Sequence, residues 1–319
     1  MRHNDHRLWV AAVLAAAFAI ALPLSGQYRE YYFHGKVVNT DKLPLAGVEI
    51  NLRDVATSRG YDVKTDKDGE YRFAGLPHGA YKVTFHKEGY APKEDEWKFE
   101  APQVSMKKIE IPDLTLVPQE LVAKAEQMKA MEAEIKAAVD KIKAKDYDGA
   151  AAQLKAYLDK NPDDSNALFY LGLSYARKMM FAEAVAPLTR VTEMVPNYAP
   201  AYFELAGCYS KLDDKTKALE MYQKTIELDP SNVDSAYNAG LILFGLSRIG
   251  EAKAVFEKAL GLRPNDPEIL DMASRCYINA GEFAKAIDCL EKAKAGYTDP
   301  EKLKFLDDLI AKLKEQIKK

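Results

Sequence analysis

Hydrophobic and polar residues follow one period in the first third of the chain and another in the rest. From Tyr31 to about Val117 they alternate in short runs such as YRF and YKVTF, separated by turn residues such as Asp68-Gly69. This pattern predicts short strands in a small antiparallel β-sandwich. After residue 118 the apolar residues recur every three or four positions, which predicts amphipathic helices. We therefore predict a multidomain protein in which a sandwich precedes an all-α domain.

The predicted helices repeat with a fixed period. Proline recurs every 34 residues near the end of the first four units, and alanine recurs at the same interval inside all five. Two helices per unit of this length indicate an array of helical hairpins. The units span 131–164, 165–198, 199–232, 233–266 and 267–300. The repeated residues are Pro162, Pro196, Pro230 and Pro264, and Ala150, Ala184, Ala218, Ala252 and Ala286.

The side chains at fixed places in these units resemble those of the tetratricopeptide repeat. Gly172 and Tyr175 in the second unit and Tyr209 in the third stand at signature places of that repeat. The resemblance implies an all-α superhelix over residues 118–300 and an amphipathic capping helix at 301–319. It also implies a non-enzymatic scaffold that binds other proteins.

The segment between the two domains carries apolar residues at near-heptad spacing. These residues include Leu121, Ala125, Met128, Ile135 and Val139. A long leading helix of the first repeat explains this spacing best. A dimerising coiled coil is the alternative explanation, so the oligomeric state stays open.

Five motifs follow one another in the β-rich part of the chain. They are Gly35-x-Val37, PLAGVEI at 44–50, TDKDGEYRF at 65–73, GLPHGAYKV at 75–83 and Gly89-Tyr90. In this order they resemble the carboxypeptidase regulatory-like domain. The resemblance implies a transthyretin-like β-sandwich over residues 27–117 that is accessory and non-catalytic. In some relatives this domain is classed with carbohydrate-binding-like folds.

The first residues of the chain have the pattern of an export signal. Arg2 and Arg7 precede the apolar run LWVAAVLAAAFAIALPL at 8–24, and the small residues Ser25 and Gly26 follow it. This order predicts a secretory signal peptide over residues 1–26. We expect an exported protein, located in the periplasm, on the cell surface or in the medium. An uncleaved membrane anchor is the alternative, because the run reaches the shortest length that spans a bilayer.

Charge and reactive residues argue against several classes of function. The formal net charge is −3, and Lys and Arg are interspersed with Asp and Glu, so we predict no binding to nucleic acid. No catalytic set, metal-ligand spacing or phosphate loop is visible, so we predict no catalytic residues, no metal and no cofactor. The three thiols are Cys208, Cys276 and Cys289. A disulfide between the last two stays open.

We expect the protein partner to bind in a concave groove lined by the leading helices of the repeats. In tetratricopeptide domains the second, fifth, ninth, twelfth and thirteenth places of each unit face that groove. Chaperone-binding members hold a terminal carboxylate with Lys and Asn at the fifth and ninth places, and apolar residues stand at most of those places in the central units here. The resemblance assigns partner binding to Phe169, Leu173, Arg177, Phe203, Lys211, Tyr237, Leu241, Phe244, Arg275 and Ile278.

Two alternatives to this function remain at the level of sequence. The linker helix or the capping helix could cover the apolar groove within the molecule, because an open trough of this size is unusual on a monomer. The sandwich could instead be the active part, as a carbohydrate- or cell-envelope-binding module that the repeats merely assemble.

Overall fold

The computed structural model describes residues 30–100 and 106–318. The contacts divide the chain into two compact units, with the boundary between Ala130 and Met131. The predicted signal segment 1–26 lies outside the described residues. Within the described ranges, no helix combines the length and the apolar composition that a membrane span requires.

Eight described strands form two sheets in the first unit. One sheet has the order β4-β1-β7, with β8 also pairing β1, and the other has the order β3-β2-β5-β6. The strands are β1 (Glu30–Val38), β2 (Glu49–Asp54), β3 (Gly60–Lys64), β4 (Glu70–Leu76), β5 (Gly79–His86), β6 (Lys93–Phe99), β7 (Met106–Glu110) and β8 (Leu114–Thr115). The pairs are antiparallel except for β1 with β7 and β1 with β8, which are parallel.

Aromatic side chains from both sheets form the core of this unit. The ring of Tyr71 on β4 lies 6.3 Å from Phe85 on β5 and 6.5 Å from Trp97 on β6. Phe33 on β1 lies 6.3 Å from the same Trp97 ring. Tyr71 and Tyr81 are 2% and 0% exposed. The two sheets therefore pack face to face as a sandwich, which confirms the predicted fold of this part.

The turn between β3 and β4 is built from the TDKDGE segment. The Asp66 carboxylate accepts hydrogen bonds from the backbone N–H groups of Asp68 and Glu70, both at 2.9 Å. Gly69 has a φ of 75°, and a Cβ there would lie 2.6 Å from the Val37 carbonyl oxygen. Only glycine fits this place, because the backbone is left-handed and another strand approaches closely.

Eleven described helices follow the sandwich. They form five hairpins, α1/α2 to α9/α10, and α11 packs on the last one. The helices are α1 (Gln119–Lys143), α2 (Tyr147–Leu158), α3 (Ser165–Arg177), α4 (Phe181–Met194), α5 (Ala199–Lys211), α6 (Lys215–Leu228), α7 (Val233–Gly245), α8 (Ile249–Leu262), α9 (Pro267–Asn279), α10 (Phe283–Lys294) and α11 (Pro300–Ile317). This arrangement confirms the predicted repeats. The boundary between the compact units falls inside α1.

Each hairpin turns through one residue in the left-handed region at the same place in the repeat. The five residues are Lys145, Met179, Asp213, Ser247 and Gly281, with φ between 60° and 72°. The residue that follows donates its N–H back across the turn, for example over 2.9 Å from Met180 to the carbonyl oxygen of Tyr175. This is the 6→1 hydrogen bond of a Schellman motif, which ends the first helix of each hairpin.

Candidate partner-binding surface

The ten predicted partner-binding residues lie on the leading helices of four successive hairpins. Because the repeat length is constant, equivalent places recur on each of these helices. Phe169, Leu173 and Arg177 lie on α3, Phe203 and Lys211 on α5, Tyr237, Leu241 and Phe244 on α7, and Arg275 and Ile278 on α9.

Phe169 is the most deeply buried of the predicted apolar contact residues, and its role in partner binding stays a prediction. Its side chain is 9% exposed and packs in the same cluster as Leu188 and Leu205. The rings of Tyr170 and Tyr198 lie 5.4 Å and 5.3 Å from it at steep angles. Tyr198 comes from the loop before α5, so a residue outside the helix covers this place.

Phe203 and Tyr237 occupy the equivalent place on the next two leading helices, and both are only partly buried. Phe203 packs against Tyr222, with 6.0 Å between ring centroids, and Tyr237 packs against Phe256 at 6.1 Å. Both contacts are edge-to-face and lie within one hairpin. Burial, followed by the nearby Glu268 carboxylate, raises the pKa of Tyr237. Each ring thus has one packed side and remains partly accessible to solvent.

The other four apolar residues share this half-buried state. Leu173 borders the core cluster of the second and third hairpins, and the remaining three border the cluster that runs from the third hairpin to α11. They are Leu241, Phe244 and Ile278. With Phe203 and Tyr237 these residues form what we call the leading-helix strip, defined as Leu173, Phe203, Tyr237, Leu241, Phe244 and Ile278.

Two of the three predicted cations are already paired within the molecule. Arg177 donates two hydrogen bonds to the Glu204 carboxylate, at 3.0 Å and 2.8 Å, and these bonds raise the pKa of Arg177 above its usual value. Arg275 lies 3.4 Å from the Asp271 carboxylate, which also accepts a hydrogen bond from Lys302 at 2.9 Å.

Both acceptor carboxylates lie outside the set of residues predicted from the sequence. Glu204 and Asp271 have side chains that are 14% and 13% exposed, so a partner reaches the guanidinium groups more readily than the acids. Glu204 lies 27 positions after Arg177, which puts the two residues on successive leading helices. This separation in sequence is the signal from which an Arg177–Glu204 ion pair could have been predicted.

The described part of the chain contains no cluster of side chains that could hold a metal ion. No three His, Cys, Asp or Glu side chains of residues 30–100 and 106–318 gather as metal ligands would. Cys208, Cys276 and Cys289 are buried and unpaired, so the disulfide left open by the sequence is not formed. Burial raises the pKa of Cys208 and of Cys276 to about 11, which keeps these thiols protonated at neutral pH.

Comparison with known proteins agrees with this organisation. Residues 33–112 match the model of the carboxypeptidase regulatory-like domain. Residues 135–199, 199–232 and 243–313 match models of the tetratricopeptide repeat.

Two similar curated proteins each match less than half of this chain. Hsp70-Hsp90 organizing protein 2 of Arabidopsis thaliana is 28% identical over 148 residues, which are 46% of this chain and 24% of that protein. Cellulose synthase operon protein C of Pseudomonas fluorescens (strain SBW25) is 37% identical over 101 residues, which are 31% of this chain and 8% of that protein. The chain thus spans a quarter or less of the length of these two relatives.

A solved structure also resembles part of the chain. The crystal structure of the MamA protein is 23% identical, covers 53% of this chain and 96% of its own, and superposes with a TM-score of 0.49.

The family matches and the two compact units together identify the chain as a carboxypeptidase regulatory-like domain followed by tetratricopeptide repeats.

Proposed function

We propose that this protein is an exported, non-enzymatic scaffold that binds a protein partner in a concave groove lined by the leading-helix strip. Tetratricopeptide proteins as a class act through protein–protein interactions, and the repeats make up most of this chain. The partner presents apolar side chains on one face, as an amphipathic helix or an extended segment does.

One observation carries this proposal. Half-buried apolar side chains recur at equivalent places on successive leading helices. Side chains that serve only the core would be fully buried, and a surface exposed only to water would carry polar residues. Phe203 and Tyr237 each lean on the second helix of their own hairpin. Because these ring contacts hold the two side chains in place, Phe203 and Tyr237 are suited to act as rigid aromatic contacts, which carry much of the affinity in protein interfaces.

The same places argue against recognition of a terminal carboxylate. The chaperone-binding arrangement needs Lys and Asn at the fifth and ninth places, and Phe203, Gly207, Tyr237 and Leu241 stand there in the third and fourth units. Of the neighbouring cations, Arg177 is committed to Glu204. We therefore propose apolar contacts, with Lys211 at the edge of the surface, as the main basis of recognition.

The test uses the full chain and a phage-displayed library of amphipathic helical peptides. We expect selected peptides to carry apolar residues at helical spacing. The double variant Phe203→Ala/Tyr237→Ala should weaken their binding by about 1–4 kcal/mol. Phe305→Ala is the matched control, because that ring is 54% exposed on α11 and lies outside the leading-helix strip.

Two outcomes would contradict the proposed groove. Selection that enriches no peptide would mean that the leading-helix strip is covered within the molecule. A double variant that unfolds, and that binds normally once refolded, would mean that the two rings serve the core alone.

We propose export on the basis of the first residues of the chain. The apolar run at 8–24 follows two arginines and ends in small residues, which supports a cleaved signal peptide. Mass spectrometry of the native protein should find the mature N-terminus near Gln27. An intact Met1 in the membrane fraction would establish an uncleaved anchor instead.

A further inference from the structure

The outer face of the sheet β4-β1-β7 carries a broad depression in the surface. Its volume is about 770 Å³, and it lies entirely within the sandwich. The side chains that matter for its chemistry are Tyr32, His34, Glu70, Arg72, Ala74 and Lys108, and we call this set the β1 outer face. Neither the repeats nor the proposed binding of a protein partner involves these residues.

The strand register explains how the depression forms. Tyr32 stands opposite Ala74 on β4 and opposite Lys108 on β7, and His34 stands opposite Arg72. Directly opposed side chains lie about 5 Å apart at Cβ, and diagonal ones about 7–8 Å apart. Because Ala74 is short, one side of the Tyr32 ring faces open space above the strand.

Tyr32 is unusual among the aromatic residues of the sandwich. Tyr71, Tyr81 and Phe33 are at most 2% exposed, whereas Tyr32 is 40% exposed on the central strand of its sheet. A ring held at its base by a strand and open on one face is suited to stack on another flat, weakly polar ring.

Positive charge surrounds this ring. The side chain of Arg72 is 78% exposed, and its ion pair with Glu70 is 3.4 Å long, so most of the guanidinium donors face solvent. Lys108 stands opposite Tyr32 on β7, Lys36 stands opposite Glu70 on β4, and neither lysine forms an ion pair among the described residues. Three cations thus face two carboxylates, those of Glu70 and Glu110, on a protein of net charge −3.

We propose that the β1 outer face binds an acidic saccharide. The apolar face of a sugar ring stacks on Tyr32 above Ala74, and the carboxylate of a uronic acid accepts hydrogen bonds from Arg72 and Lys108. An extended peptide fits this face less well. The backbone groups of β1 are already paired on both sides by β4 and β7, so no strand can add to it.

The test measures binding of a short oligogalacturonate to the full-length protein by titration calorimetry at low salt. Tyr32→Ala and Arg72→Ala should each weaken binding about tenfold, and Ala74→Glu should abolish it by filling the depression with a negative charge. Lys82→Ala is the matched control, because Lys82 is exposed on the outward face of the other sheet. Its affinity should equal that of the parent protein.

Two further probes define the class of ligand. A neutral malto-oligosaccharide of the same length should bind at least about tenfold more weakly, and raising the salt from about 50 mM to about 300 mM should weaken oligogalacturonate binding. Polyglutamate should bind more weakly than oligogalacturonate, since it has no sugar ring to stack.

Clear results would overturn the proposal. It fails if oligogalacturonate does not bind, if the neutral sugar binds equally well, or if Tyr32→Ala has no effect. Equal binding of polyglutamate would reassign the face to polyanions in general. Because Tyr32 and Arg72 are exposed, their variants should retain the thermal melting curve of the parent, so a loss of binding reports on the site.

Discussion

Two glycines at neighbouring places on successive leading helices should respond to alanine in opposite directions. A Cβ on Gly240 in α7 would lie 2.6 Å from Cζ of Phe256 and 2.7 Å from its Cε1. A Cβ on Gly207 in α5 would meet nothing closer than the Tyr222 hydroxyl oxygen at 4.0 Å. The first contact is about 1 Å shorter than an ordinary van der Waals separation, and the second is an ordinary one.

The expected magnitudes follow from these distances. Alanine in a helix interior is favoured over glycine by about 1 kcal/mol, and this gain applies to both sites. At Gly240 the added methyl group must displace the Phe256 ring, which is 0% exposed and lies in a close-packed core. Overpacking of this kind costs about 1–3 kcal/mol, and the short contact favours the upper end. We expect Gly240→Ala to lose about 2 kcal/mol net and Gly207→Ala to gain up to about 1 kcal/mol.

Thermal and urea unfolding of the full chain, followed by far-UV circular dichroism, measures both effects. Each kcal/mol should move the midpoint by about 2–4 °C for a domain of this size. The double variant Gly240→Ala/Phe256→Leu should recover part of the loss, because a smaller side chain relieves the overlap. A Gly240→Ala protein as stable as the parent would refute the claim that this helix crossing limits the packing.

Three further experiments test the hairpin turns, the buried tyrosine hydroxyls and the buried thiols. Ser247→Gly should stabilise the protein by about 1 kcal/mol and Gly281→Ala should destabilise it by a similar amount, because both residues have a left-handed backbone. Urea midpoints of the two variants equal to that of the parent would contradict this. Tyr71→Phe should leave stability unchanged or raised, since the Tyr71 hydroxyl has no hydrogen-bond partner among the described residues. Tyr81→Phe should lose about 1 kcal/mol, since the Tyr81 hydroxyl donates to the Pro77 carbonyl oxygen at 2.7 Å; calorimetric melting compares the two variants. The three buried thiols should react with a chromogenic disulfide reagent at neutral pH only after denaturation, and fast labelling of the native protein would show that one is accessible.

The sequence predicts the architecture well because period and turn chemistry are local properties. The interval of 34 residues places the hairpins, and the Asp68-Gly69 turn lies between β3 and β4 as its residues require. The direction in which strands pair is not local. Alternation indicates which face of β1 is buried, but it carries no information on the parallel pairing with β7 and β8.

The candidate surface shows the same limit at the level of single side chains. Phe169, Phe203 and Tyr237 stand at one place of the repeat, so the sequence treats them alike. In the structure Tyr198 covers Phe169, whereas the other two rings stay half-buried. Neighbours from loops and adjacent hairpins decide such differences, and a repeat pattern averages over them.

The backbone conformation at the hairpin turns affects which end of the repeat array unfolds locally more readily. Arrays of this type lose structure from their ends, and in this chain α11 already packs on the last hairpin. The first hairpin turns through Lys145, a non-glycine residue with φ of 63°, and the last turns through Gly281 with φ of 72°. The left-handed backbone costs a lysine about 1–2 kcal/mol and costs glycine little, so the first hairpin starts from a less favourable turn. Amide hydrogens of α2 should therefore exchange with solvent faster than those of α10, which gives the array a direction of fraying that its near-uniform repeats do not suggest.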